Sequence, residues 1–104
     1  MVMPEPIEVE FLLVKVDESV WDVCIFGDQS VLKAFEKVYQ GHYIERSVFD
    51  DRPMIVIPEF PNEQYAEAWK QYWIEAFNDP DNACKSCPTV TSLFETIAEG
   101  LARN

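Results

Sequence analysis

Residues 7–26 read IEVEFLLVKVDESVWDVCIF. Ile7, Val9, Phe11 and Leu13 alternate with Glu8 and Glu10, the period of two expected of a strand buried on one side. From Leu12 onward Val14 and Val16 make the second face apolar as well, so that end is covered on both sides or carries a bulge. Asp17, Glu18 and Ser19 form a polar turn, after which Trp21, Val23 and Ile25 alternate with Val20, Asp22, Cys24 and Phe26. The segment is expected to be an antiparallel hairpin.

Beyond the hairpin the period changes. Gly27 and Asp28 end the alternation, and Asp28 or Ser30 is placed to cap a helix running to about Gln40, with Val31, Leu32, Phe35, Val38 and Tyr39 on one face. Gly41 supplies the left-handed stop. His42 to Phe49 and Met54 to Pro58 read as a second hairpin around Asp50, Asp51, Arg52 and Pro53, and Pro58 and Pro61 are expected to close the sheet because neither donates to a ladder. Asn62 to Asn78 has its apolar positions at Tyr65, Ala68, Trp69, Tyr72, Trp73, Ala76 and Phe77, a helix with a largely aromatic buried stripe. A last helix is expected from about Thr91 to Arg103, capped by Thr89, Thr91 or Ser92.

The order ββαββαα, in a chain of 104 residues without repeat or long linker, points to one α+β domain. A four-stranded, mainly antiparallel sheet with helices on one face is the economical packing. Trp21, Phe35, Trp69, Tyr72, Trp73, Phe94 and Ile97 are expected in one core. Leu12, Val14, Cys24 and Phe26 make the other sheet face more apolar than a solvated one, which points to a homodimer.

Nineteen Asp and Glu against eight Lys and Arg leave a formal charge of −11. That charge disfavours direct nucleic-acid binding and anionic membranes and favours a basic protein surface as partner. No stretch approaches the ~20 apolar residues of a membrane span, and Met1 to Pro6 lacks the basic start of a secretory signal. With three cysteines, an odd number unlike a disulfide scaffold, these features lead us to expect a cytoplasmic protein.

Candidate chemistry is sparse. Cys84-Lys85-Ser86-Cys87-Pro88 precedes a helix, where the dipole and Lys85 would lower a thiol pKa, but it follows a helix and loop rather than the strand of a redox βαβ unit. Cys24, His42, Cys84 and Cys87 match a Cys₃His zinc site in number, though one CxxC without a second pair is a weak signal. Ordinary loop thiols and a polar loop histidine are the simpler reading, and no cofactor is expected. No serine lies in a nucleophile elbow, Asp50 and Asp51 read as a turn, and three glycines form no phosphate loop. The sequence leans away from an enzyme.

The favoured reading is a small acidic binding module or inhibitor, of immunity or anti-defence type, that acts on a basic macromolecular partner. Its contributing carboxylates are Asp17, Glu18 and Asp22 at the first hairpin, Asp50 and Asp51 at the second, and Glu63, Glu67 and Glu75 on the long helix. The alternatives are a small-molecule binder with a pocket lined by Tyr65, Trp69, Tyr72 and Trp73, and a CxxC thiol or zinc protein.

Overall fold

The computed structural model describes residues 8–47, 50–79 and 88–102, with only the backbone for 101 and 102. In chain order the elements are β1 (Val9–Asp17), β2 (Val20–Gly27), α1 (Gln29–Val38), β3 (Ile44–Arg46), β4 (Pro53–Phe60), α2 (Glu63–Asn78) and α3 (Pro88–Ala102). This is the expected α+β order ββαββαα. The four strands form one sheet in the order β1-β2-β4-β3, and every neighbouring pair is antiparallel. β2 and β3 therefore run parallel, with β4 between them, and α1 is the crossover that joins them.

Alternation in the strands decides which side the helices cover. Val23, Ile25, Ile55 and Ile57 point into a core shared with Val31, Leu32 and Phe35 of α1, Ala66, Trp73 and Ala76 of α2, and Val90, Leu93, Phe94 and Ile97 of α3. Val9, Phe11, Leu13, Trp21, Ile44 and Phe60 pack against its margin. Leu12, Cys24 and Val56 lie side by side on the opposite face, with Phe26 beside Met54 in the next row. α3 packs chiefly on α1, and a Cβ placed on Gly100 would lie 3.4 Å from Cβ of Ser30, so a small residue allows that approach.

Several boundaries differ from the sequence reading, each for a local reason. β1 carries a bulge at Val16, between the Lys15–Trp21 and Asp17–Val20 pairs, whereas Leu12 and Val14 stay in regular register with Cys24 and Asp22 on the outer face. β4 runs through Pro58 to Phe60 instead of stopping at the proline. It does so because an extra residue is accommodated opposite Asp22, where Glu59 takes a φ of 71°. α1 begins with Asp28 as cap by backbone alone, its carbonyl accepting from the N–H groups of Val31 and Leu32, and ends at Val38, ahead of Gly41 at φ 95°. α3 starts three residues earlier than expected, with Pro88 in its first turn, where a fixed φ and a missing N–H carry no cost.

The largest correction is the phase of α2. Its N-cap is Asn62, whose Oδ1 accepts the Tyr65 N–H at 3.0 Å, and its buried stripe is centred on Ala66, Trp73 and Ala76. Trp69 and Phe77 flank that stripe, whereas Tyr65 is 62% exposed, Tyr72 is 43% exposed and Ala68 is exposed. Tyr72 is thus not a core residue. Two alanines let the helix sit close to the sheet, and the tyrosines, which carry a hydroxyl to hydrate, take the solvent side.

Candidate functional site

α2 follows β4 directly and starts where Phe60 pairs with Trp21, at the end of the sheet that also holds the β1–β2 turn. Helical geometry then puts Tyr65, Ala68, Tyr72 and Glu75 on one exposed stripe, at intervals of three and four residues. The two tyrosines stand two turns apart, about 10 Å along the axis at 1.5 Å per residue. Trp69 and Trp73, the other half of the expected pocket, face inward. Trp73 is fully buried, with ring centroids of Phe35 at 5.1 Å, Tyr72 at 5.4 Å and Trp69 at 6.1 Å. Its Nε1 has no hydrogen-bond partner among the described residues.

The eight expected carboxylates fall into three environments. Asp17, Glu18 and Asp22 share the turn end of the sheet with Glu59 and Glu63, because β1 and β4 finish there and α2 begins there. Asp17 Oδ1 accepts the Glu18 N–H, Asp22 Oδ1 accepts the Glu59 N–H at 3.4 Å, and Lys15 Nζ lies 3.7 Å from Glu18 in an exposed pair. Such a pair contributes at most about 1 kcal/mol in water. Glu59 was not among the expected residues. A proline at position 58 predicts a strand end, and that expectation hides the bulge that brings Glu59 to Asp22.

Asp50 and Asp51 lie at the opposite end of the sheet and are held by arginines of the same chain. Arg52 bridges Asp50 and Glu10, the latter at 3.0 Å, while its guanidinium carbon lies 4.2 Å from the centroid of the Phe26 ring. The Arg52 hydrogen bond is the main reason that the Asp50 carboxyl sits below the usual carboxylate range. Arg46 donates to the Asp51 carbonyl at 2.8 Å, and Asp51 occupies the left-handed region at φ 58°. These two acids serve the β3–β4 turn.

Glu67, on α2, accepts from the Gln71 amide at 3.0 Å and lies 3.4 Å from Lys70 Nζ; the Gln71 bond is the larger cause of its lowered pKa. Glu75 is exposed on the tyrosine stripe.

Tyr65, Trp69, Tyr72 and Trp73 line neither of two open cavities that described residues form. One, of about 450 Å³, is a groove between α1 and α3 with Lys37, Thr89, Ser92, Glu95 and Thr96 among its walls. Another, of about 170 Å³, lies beside Arg52 at the start of β1. His42, the chain's only histidine, lines neither; it sits in the connection from α1 to β3, at the sheet's edge.

Cys24 is on an interior strand, buried between Leu12 and Val56, and burial, followed by the charges of Asp22 and Glu45, raises its thiol pKa. It is a neutral, protected group. No cluster of three or more His, Cys, Asp or Glu side chains among the described residues is placed to hold a metal, and Cys84 and Cys87 lie outside the described residues. No helix among them is long and apolar enough to cross a membrane.

What the arrangement offers chemically is a surface. An exposed tyrosine pair lies on a helix whose first turn joins a group of carboxylates. No family model matches this chain, and the searches of curated proteins and of solved structures also gave no match.

Proposed function

We propose that this chain is a small acidic binding module, of the inhibitor or immunity type, that engages a basic macromolecular partner without turnover. The observation that carries the reading is the outward face of α2, where Tyr65 and Tyr72 stand exposed on one stripe with Glu75. Tyrosine brings large contact area and a hydroxyl at small entropic cost, which is why it recurs among interface residues that dominate affinity. The carboxylates of Asp17, Glu18, Asp22, Glu59 and Glu63 at the helix's leading end add a field that attracts cationic groups. The net charge of −11 makes that attraction felt before contact.

The two parts have different kinetic signatures, and these supply the test. With the co-purified partner immobilised, association should slow steeply as salt rises, since the screening length falls from about 10 Å at 0.1 M to about 3 Å at 1 M. Reversing Glu63 and Glu67 to Lys should lower the on-rate more than it raises the off-rate. Replacing Tyr65 and Tyr72 with Ala should chiefly raise the off-rate. Binding indifferent to salt and to both sets of changes would refute the reading.

A further inference from the structure

We infer that this chain pairs with a second copy of itself through the outer edge of β1, strand against strand about a twofold axis at Leu12, joining two four-stranded sheets into one of eight. β1 is an edge strand of nine residues, and no strand pairs with its outer side among the described residues. The opposite edge, β3, has only three residues. Proteins that keep a long edge unpaired blunt it with charged side chains, above all lysine, with proline or with a bulge. Between Val9 and Val14 the one charge is Glu10, which Arg52 of the same chain pairs at 3.0 Å; that stretch has no lysine or proline, and Lys15 and the Val16 bulge come only at the turn end.

Exposure on the open face points to the same edge. Cys24 and Phe26 on β2 are already covered, at 8% and 5% exposed, whereas Leu12 and Val16 on β1 remain 46% and 59% exposed. The apolar surface still open to water therefore follows the edge strand rather than the middle of the sheet.

The sequence of β1 is also complementary to itself. In an antiparallel pairing centred on Leu12, Leu12 meets Leu12 of the second copy, Phe11 meets Leu13, Glu10 meets Val14 and Val9 meets Lys15. Every pair joins residues of the same face, so both cores stay on one side of the joined sheet. No like charges stand opposite one another. The two Glu10 positions are four residues apart along the strand, about 13 Å at ~3.4 Å per residue, beyond the screening length of about 8 Å.

This contact and the proposed binding to a basic partner respond to salt with opposite sign. Two copies each carrying −11 repel, so salt should tighten the dimer while it weakens a basic partner's binding. The test uses the full chain with Cys84 and Cys87 replaced by Ser and Cys24 by Ala, because Cys24 lies opposite both Leu12 and Val56 and would otherwise capture a new thiol within the same chain. Light scattering at tens of micromolar should give twice the monomer mass, with a dimer fraction that rises between about 0.1 M and about 0.5 M salt. Under mild oxidation, Leu12→Cys should form a covalent dimer and Val56→Cys should not, because opposed strand positions lie about 4.5–5.5 Å apart, within disulfide reach. Leu12→Lys should give a monomer with an unchanged circular dichroism spectrum, and if that variant fails to fold the cross-link still decides. A monomer at every salt concentration, or a dimer in which Leu12→Cys stays unlinked, would overturn the inference.

Discussion

Replacing Trp73 tests the packing that fixes both faces of α2. Trp73 is fully buried and lies among rings from α1, from the residue just after it and from its own helix: Phe35, Tyr39, Trp69, Tyr72 and Phe77 all have centroids within 6.3 Å. Truncating a buried tryptophan to Ala costs about 3–5 kcal/mol, a large part of the roughly 5–15 kcal/mol that holds a domain together. With a urea dependence of about 1–3 kcal/mol per molar, the unfolding midpoint of Trp73→Ala should fall by at least about 1 M. Trp73→Phe should cost less than about 2 kcal/mol, since losing part of the ring is offset by removing an N–H whose unpaired burial costs about 1–3 kcal/mol. Trp69→Ala, at a half-buried position, should fall between the two. The assay is urea unfolding followed by far-ultraviolet circular dichroism. An unchanged midpoint for Trp73→Ala would refute the phase assigned to α2, and Trp73→Phe as damaging as Ala would show that the indole N–H holds a partner the fold needs.

Three further expectations concern other parts of the molecule. At Gly27 an added Cβ would lie 2.9 Å from the backbone carbonyl oxygen of Glu8, so Gly27→Ala should destabilise the protein by about 1–3 kcal/mol, read as a lower urea midpoint. Asp50 has a folded pKa below its ordinary value of 3.8, so its contribution to stability is present above that value and lost as pH falls through the folded pKa. The gap in midpoint between the natural chain and Asp50→Asn should therefore be constant near neutrality and close in acid below the ordinary carboxylate range. Cys24, buried with a raised thiol pKa, should react with a thiol reagent far more slowly in native protein than in urea, and equal rates would contradict its placement between Leu12 and Val56.

Element order was legible because the period changes sharply at Gly27 and Asn62 and because each period is long enough to count. Phase was harder to read. In α2 the aromatic residues span too wide an arc for period alone to choose the buried half, and only contact with Phe35 and Phe11 from other elements turns Trp69 and Trp73 inward and leaves Tyr65 and Tyr72 outside. The acid surplus was visible as composition, but its division was not. Arg52 and Glu10 are 42 residues apart in sequence, and the bulge at Glu59 depends on the register with β2. Side-chain identity placed Asp17, Glu18 and Asp22 on the first hairpin, whereas topology alone put Glu59 and Glu63 beside them.

In the proposed function, the outer face of α2 and the acidic end it leads from act as one binding surface for a basic partner. The most direct measurement is quantitative affinity purification from the native host, comparing the natural chain with Tyr65→Ala/Tyr72→Ala and with Glu63→Lys/Glu67→Lys, each first shown to be folded. One basic protein should be retained near stoichiometry by the natural chain, released by raised salt, and lost or strongly reduced with both variants. Retention of the same partner by both variants, or a bound small molecule in place of a protein, would contradict it.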